Sequence, residues 1–445
     1  MKELIPLDLL LLALSLIGSY FLSIYMIQII LQTLSIQRFK NYKLKKQLEL
    51  PSLTLLIPVR NEAELVVEAI NRALQLPLPN FQVIVIENAS TDKTYDLLHE
   101  VFQLRPNGKP DTFYTPLFPN LRVIKSPIAG KAHALNLALP QVNTEIVATL
   151  DADTIPEPQG LITVLQEFAH RPTIKAIGGI VRVINPSMNW SPKVKLPSSF
   201  LYALQGLEYL RAFSGERLGW GLLRANIYMS GSCALFRTET LKESGGFQIQ
   251  TVTEDLETTL ELLKRSQGKP HPIDILPVVV AWTQVPHDLK SLFHQRRRWQ
   301  AGLCQCLWKY KSLFLNSRCG LIGPFTLPYI FFTEILAPLL EFIAFLLVAH
   351  ALFYELVDLR PVIMIAGASL GLSAILTSLS ALTENRYLKS RWSVIGLIIL
   401  SFPLNIIYRP IINLYRIEAT LRFPWFKNWR SIERKELSSL PQASP

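Results

Sequence analysis

Cysteine is scarce in this chain, acidic residues are outnumbered, and long stretches carry no charge at all. Four cysteines, Cys233, Cys304, Cys306 and Cys319, occur in 445 residues. That is too few for a disulfide framework. Cys304-x-Cys306 has the wrong spacing for a usual zinc pair, so buried reduced thiols are expected. Charged residues make up 18% and hydrophobic residues 49%, which argues against intrinsic disorder. No internal repeat is visible, and the length suits two or three domains. The surplus of 45 Lys+Arg over 34 Asp+Glu gives a net charge of +11. Residues 1–50 carry +3 of it, residues 51–286 carry −1 and residues 287–445 carry +9. A nucleic-acid-binding domain would concentrate the basic residues on itself. Here the centre is neutral and the flanks are basic, so no nucleic-acid partner is expected.

The uncharged stretches read as membrane. Leu9–Gln37 has no formal charge over 29 residues, whereas a bilayer core needs about 20 in a helix. A cleaved signal peptide has a shorter apolar run and a small-residue cleavage site, and neither is seen. Arg38, Lys40, Lys43, Lys45 and Lys46 follow at once. Their excess marks the cytoplasmic side and places residue 51 onward inside. Three more apolar stretches follow in the last third: 319–354, interrupted by Glu334 and Glu341, then 361–383 and 393–408. Simple counting of four full spans puts the basic tail outside. If 393–415 breaks at Pro403 and Pro410 and re-enters, the tail stays inside, and this is the expectation. Glu334 and Glu341 are seven apart on one helix face. Either they face a polar path, or Glu334 sits at the interface and Glu341 pairs with an arginine. The expected division is a transmembrane helix at 1–37, a cytoplasmic domain at 38–286, an amphipathic interface helix at 287–318, a transmembrane region at 319–415 and a basic tail at 416–445.

The middle reads as an α/β domain. LTLLIPV at 53–59, QVIVI at 82–86 and EIVATL at 145–150 are short, nearly continuous apolar runs, as in buried parallel strands. Helical spacing follows the first, and Ser90-Thr-Asp starts a helix after the second. This alternation implies a doubly wound sheet, whose ligands bind at the carboxyl ends of strands. Arg60-Asn61-Glu62, Glu87-Asn88 and Asp151-Ala152-Asp153 cluster there. The Pro-rich stretch 105–120 reads as a loop.

Several motifs have both chemical and structural readings. Asp151-x-Asp153 beyond a strand end can grip a hard divalent cation. A D-x-D alone arises on the order of once by chance in such a chain, so its weight lies in its position. Thr253-Glu254-Asp255 precedes a helix, and a cap is the structural alternative. Gln295-x-x-Arg298-Trp299 offers a forked donor for a diphosphate and a flat face for a sugar. It also fits a basic helix lying flat on a membrane, with Leu289, Leu292, Phe293, Leu303, Leu307, Tyr310 and Phe314 near one face. Lys131, at a helix start, can contact phosphate or be a solvated charge. Ser230-Gly231-Ser232-Cys233 begins a strand-like ALF.

In their order, IPVRNEA, ENASTDKT, GKAHALN, LDADT, SGSCALFR, TEDLE and QRRRW resemble the membrane-bound, processive family-two glycosyltransferases. These include cellulose, chitin, hyaluronan and poly-N-acetylglucosamine synthases. The match covers 51–302. Glu384-Asn385-Arg386-Tyr387 looks most like the bacterial poly-β-1,6-N-acetylglucosamine synthases. The resemblance implies a GT-A nucleotide-diphospho-sugar fold between transmembrane helices, and inverting transfer from a UDP-sugar to a polysaccharide. It implies Mg²⁺ or Mn²⁺ on Asp153, with Asp151 at the nucleotide side and Lys131 on the donor. Asp255 would be the general base, next to Glu254. Arg298 and Gln295 would hold the diphosphate. Trp299 would floor the acceptor site, lined by Ser230, Gly231 and Cys233. Many relatives carry two aspartates where this chain has Glu87-Asn88, the first contacting uracil; Glu87 can still accept that bond. The rival readings are single transfer to a membrane lipid and an inactive membrane scaffold. A small membrane accessory subunit is a candidate partner, since no second-messenger domain is recognisable. The expected location is the inner membrane.

Overall fold

The structure is a computed structural model that describes residues 6–43, 48–184, 200–383 and 391–426, with the backbone alone at 391 and 392. Lys45, Lys46, the Glu384–Tyr387 motif and the tail from 427 lie outside the described residues.

Among the described residues, ten strands form one sheet: β1 (Leu53–Val59), β2 (Phe81–Asn88), β3 (Arg105–Pro106), β4 (Thr112–Tyr114), β5 (Leu121–Ser126), β6 (Ile146–Leu150), β7 (Thr154–Pro156), β8 (Ala176–Ile184), β9 (Cys233–Arg237) and β10 (Ile273–Gln284). Their order is β3-β4-β5-β2-β1-β6-β9-β8-β10-β7. β1 pairs in parallel with β2 and β6, and β2 with β5. Leu55, Ile57, Val83 and Val85 pack on one face, and Leu56, Ile84 and Ile86 on the other. Burial on both faces is why these runs are apolar without alternation.

The sheet is mixed, not purely parallel. β9 is inserted antiparallel between β6 and β8. Its first residue, Cys233, therefore pairs with the last residue of β6, Leu150. This places the turn 230–232 beside Asp151. The expected loop at 105–120 contains β3 and β4, which are two and three residues long. They sit at the sheet edge, where Pro106 costs no inner ladder bond.

Among the described residues, four helical runs are long and apolar enough to cross a membrane: Leu7–Asn41, Ile322–Phe353, Leu359–Thr383 and Ser393–Trp425. The expected break at Pro403 and Pro410 is absent. The helix continues through a wider turn at Leu404–Tyr408, and Pro410 falls in the first turn after it, where its missing N–H is tolerated. This run packs along the α/β domain. Leu397, Leu404, Tyr408 and Ile412 cluster with Leu204, Leu207 and Leu292. Gln305 donates to the Phe423 carbonyl at 3.0 Å, so the end of the run lies against the domain. Glu334 pairs with Arg416, and Glu341 pairs with Arg409 at 3.0 Å. Both carboxylates are thus met by arginines of one helix.

The helix Leu289–Lys309 corrects another expectation. Most of its apolar face is covered by protein, although Leu289 at its start is exposed. Leu303, Cys306 and Leu307 join the sheet's second core cluster, and Leu292 packs against the last helical run. The reason is tertiary: the helix is sandwiched between the domain and Arg409–Arg422. Cys233, Cys304 and Cys306 are buried and Cys319 is partly so, all as free thiols.

Candidate active site

The carboxyl ends of β1, β2 and β6 converge on one rim, as the sheet topology requires. Lys131 opens the helix Lys131–Ala138 there. Its ammonium lies 2.7 Å from Asp151 Oδ1 and 2.9 Å from Glu254 Oε1, and donates to the Gly231 carbonyl at 3.0 Å. An ammonium has three N–H donors, and all three are engaged. Lys131 is therefore neither a solvated charge nor a free phosphate ligand. It is a hub joining β6, the turn 230–232 and the helix Glu254–Arg265. Burial works against its charge, but Asp151 and Glu254 outweigh this and hold it firmly protonated.

Asp255 sits in the first turn of that helix. Its Oδ2 accepts from the Gly231 amide at 3.0 Å and its Oδ1 from the Leu256 amide at 2.8 Å. The capping alternative is thus partly real: the carboxylate does bond backbone amides. Gly231 is needed for this approach, since a Cβ there would lie 2.9 Å from Asp255 Oδ2. Burial, then the charge of Glu254, push the Asp255 carboxyl above its usual range. Burial also opposes ionisation of Glu254, but Lys131 and Arg298 outweigh it and pull that group below its usual value. Two adjacent carboxylates are driven apart, one a stable anion and one a stronger base.

The three consecutive arginines have different fates. Arg296 is buried, pairs with Glu208 at 2.5 Å and stacks 4.4 Å from the Trp299 ring. Arg297 pairs with Glu418 at 2.5 Å. Arg298 has no hydrogen bond or ion pair among the described residues, and lies close enough to act on both Glu254 and Asp255. Gln295 is buried and its Oε1 is unpartnered among the described residues. The motif residues thus present one uncommitted fork towards the carboxylates.

Other expected residues are placed differently. The Glu87 side chain is buried and accepts from the Ser90 amide at 2.6 Å, while Asn88 accepts from the Gly130 amide at 2.9 Å. The pair holds the loops at this rim. Ser230 and Ser232 bond each other at 2.7 Å. Cys233 is only 1% exposed, with its thiol in the apolar core, and burial pushes it up to about 12. It supports the turn from below and does not line a pocket.

Asp153 is 3% exposed and accepts from Thr154 Oγ1 at 3.0 Å, whereas Asp151 is partly exposed. No cluster of three or more His, Cys, Asp or Glu that could hold a metal occurs among the described residues. The described residues therefore offer no all-protein cage. Two hard carboxylates at a strand end do fit Mg²⁺ or Mn²⁺, which take one or two carboxylates and complete their shell with water and substrate phosphate. Sequence reading missed Glu208, which pairs with Arg296, and Tyr209, Arg217 and Tyr228, which form a linked group within electrostatic reach of Asp153 and Asp255. None stands in a short motif.

The family model described as glycosyltransferase-like family 2 matches residues 51–302, more than half the chain. The chain belongs to this glycosyltransferase family. The chitin synthase model matches residues 249–436 of the same transferase. Poly-β-1,6-N-acetyl-D-glucosamine synthases of Staphylococcus aureus and Staphylococcus epidermidis are 27% identical over 254 residues, 57% of this chain and 55% of theirs. The aligned part thus spans about half the length of these curated relatives. A solved mannosyltransferase from Pyrobaculum calidifontis, in complex with GDP-Man and Mn²⁺, superposes with a TM-score of 0.63 at 19% identity. It covers 93% of this chain and 99% of its own. The GT-A-like fold of this family-2 glycosyltransferase is thereby established.

Proposed function

We propose that this transferase moves N-acetylglucosamine from a UDP-sugar to a growing β-linked polysaccharide, with inversion at the anomeric carbon. Arg298, without a hydrogen bond or ion pair among the described residues and within reach of Glu254 and Asp255, carries the reading. A diphosphate leaving group gains negative charge in the transition state, and a preorganised guanidinium fork answers that charge. Arg298 and Gln295 are assigned to this role. Asp153, with Asp151, would hold Mg²⁺ or Mn²⁺ against the diphosphate, and the ion would supply further charge neutralisation there.

The rest belongs to the chain's own residues. Asp255 takes the proton of the attacking hydroxyl, and its raised basicity suits the task. Glu254 stays ionised and fixes Lys131, which in turn holds the turn 230–232 against Asp255. Trp299 floors the acceptor site, its plane set by the Arg296 stack. Glu87 stands on the nucleobase side. The polymeric acceptor and N-acetylglucosamine are suggested by the staphylococcal relatives. The four apolar helices support a multi-pass inner-membrane protein with a cytoplasmic catalytic domain that passes its product outward.

The deciding experiment supplies membranes containing the protein with separately radiolabelled nucleotide sugars. A long polymer from UDP-N-acetylglucosamine alone is expected. Label only in a single-sugar lipid would replace the polymer reading, and no turnover of any donor would sink the enzyme reading.

A further inference from the structure

The helix leading to the turn 230–232 is wound unusually wide over Leu210–Arg217. Such segments recur at functional sites. It ends on Arg217, a half-buried residue that the chemistry above does not use. The Arg217 guanidinium lies 4.0 Å from the centre of the Phe213 ring and 5.0 Å from that of Tyr228. Tyr209 continues the stack, 5.6 Å from Phe213. The flanking rings meet part of the cation's charge but none of its five N–H donors. Among the described residues Arg217 makes no hydrogen bond or ion pair. Glu216, its neighbour, is taken by the Tyr329 hydroxyl.

The location narrows what those donors are for. Burial works against the charge of Arg217 and outweighs the groups that support it, Tyr228 and Tyr209 and then Asp255 and Glu216. What Arg217 lacks among the described residues is a directional acceptor. Tyr209 in the same stack also lies within electrostatic reach of Asp153 and of Arg296, the residue stacked on Trp299. The guanidinium thus lies over Tyr228, two residues before the turn 230–232 whose Gly231 amide bonds Asp255.

We propose that Arg217, clamped between Phe213 and Tyr228, is an acceptor-binding residue whose fork hydrogen-bonds the hydroxyl or N-acetyl oxygens of the acceptor's terminal sugar beside Asp255. This rests on the polysaccharide-acceptor reading. Arg298 then grips the leaving diphosphate and Arg217 grips the incoming sugar.

The test uses the full chain in lipid vesicles, with UDP-N-acetylglucosamine as donor and a β-linked N-acetylglucosamine pentasaccharide as acceptor. Donor hydrolysis to water and transfer to the pentasaccharide are measured separately. Arg217→Met is expected to raise the acceptor KM on the order of ten- to hundredfold, as one or two charged hydrogen bonds are lost. Donor KM and the hydrolysis rate should stay within about twofold. Arg217→Lys keeps the charge without the fork, and should fall between wild type and Met. An unchanged acceptor KM in Arg217→Met overturns the proposal, as does an equal fall in hydrolysis and transfer by folded protein. If the Met variant does not fold, a wild-type acceptor KM in Arg217→Lys overturns it. Hydrolysis by the wild type reports on the donor reading independently, so failure of the acceptor arm with hydrolysis intact counts against Arg217 alone.

Discussion

Asp255→Asn separates chemistry from architecture, because the two costs fall on different observables. The carboxylate accepts one backbone amide on each oxygen, from Gly231 at 3.0 Å and from Leu256 at 2.8 Å. A carboxamide has one oxygen and one NH₂, so one of those amides will face a donor. The stability cost should be about 1–3 kcal/mol. The catalytic cost is separate. Losing a positioned base removes roughly 10²–10⁴-fold of rate, or about 3–5 kcal/mol of barrier. Donor binding should not weaken, because the change removes a negative charge near the diphosphate site. The assay pairs transfer of radiolabelled N-acetylglucosamine at saturating donor with calorimetric UDP binding and thermal unfolding. The expected result is a folded variant that melts lower, binds UDP at least as tightly as wild type, and transfers at a hundredth of its rate or less. Transfer within tenfold of wild type would refute the assignment. Loss of UDP binding together with transfer would make Asp255 an architectural residue.

Two further predictions concern the same helix. Burial and then Glu254 raise the Asp255 carboxyl, and a base works only when ionised. Transfer should therefore fall tenfold per pH unit below an acidic limb placed above the ordinary aspartate value of about 4. Glu254→Gln removes the second cause, so the limb of its pH–rate profile should move to lower pH; a limb that stays or rises would contradict the coupling. Gly302 faces Thr253, and a Cβ there would lie 2.4 Å from both Thr253 Cγ2 and Oγ1. Gly302→Ala should cost about 1–3 kcal/mol of stability and slow transfer by shifting the start of the helix that holds Glu254 and Asp255. Adding Thr253→Ala should restore part of both, and an unchanged melting temperature in the single variant would count against this packing.

Much of the site was legible because it is local. β1, β2 and β6 fall where the apolar runs predicted them, since strands buried on both faces need continuous Val, Ile and Leu. The helices at Lys131 and Glu254 begin at the motifs themselves. The antiparallel β9 was not legible: ALF reads as a strand, but nothing in it states its direction. Nor was the burial of the helix Leu289–Lys309, whose apolar face suits a bilayer and a protein core alike. Pro403 read as a break, because a proline's local effect does not reveal that a wider turn can absorb it.

The sequence by itself determined the family, the strand–helix order, the apolar helices and the acidic and basic residues from which the site is built. These follow from period, run length and short spacings. The tertiary structure alone decided what each charge does. Arg296, Arg297 and Arg298 are adjacent and chemically identical, yet Glu208 and Glu418, distant in sequence, claim the first two and leave the third. Lys131 read equally as a phosphate contact or a solvated charge until Asp151, Glu254 and Gly231 closed on it. The physical reason is that a charge's role is set by its partners and its burial. Both arise from contacts between segments that the linear sequence does not place side by side.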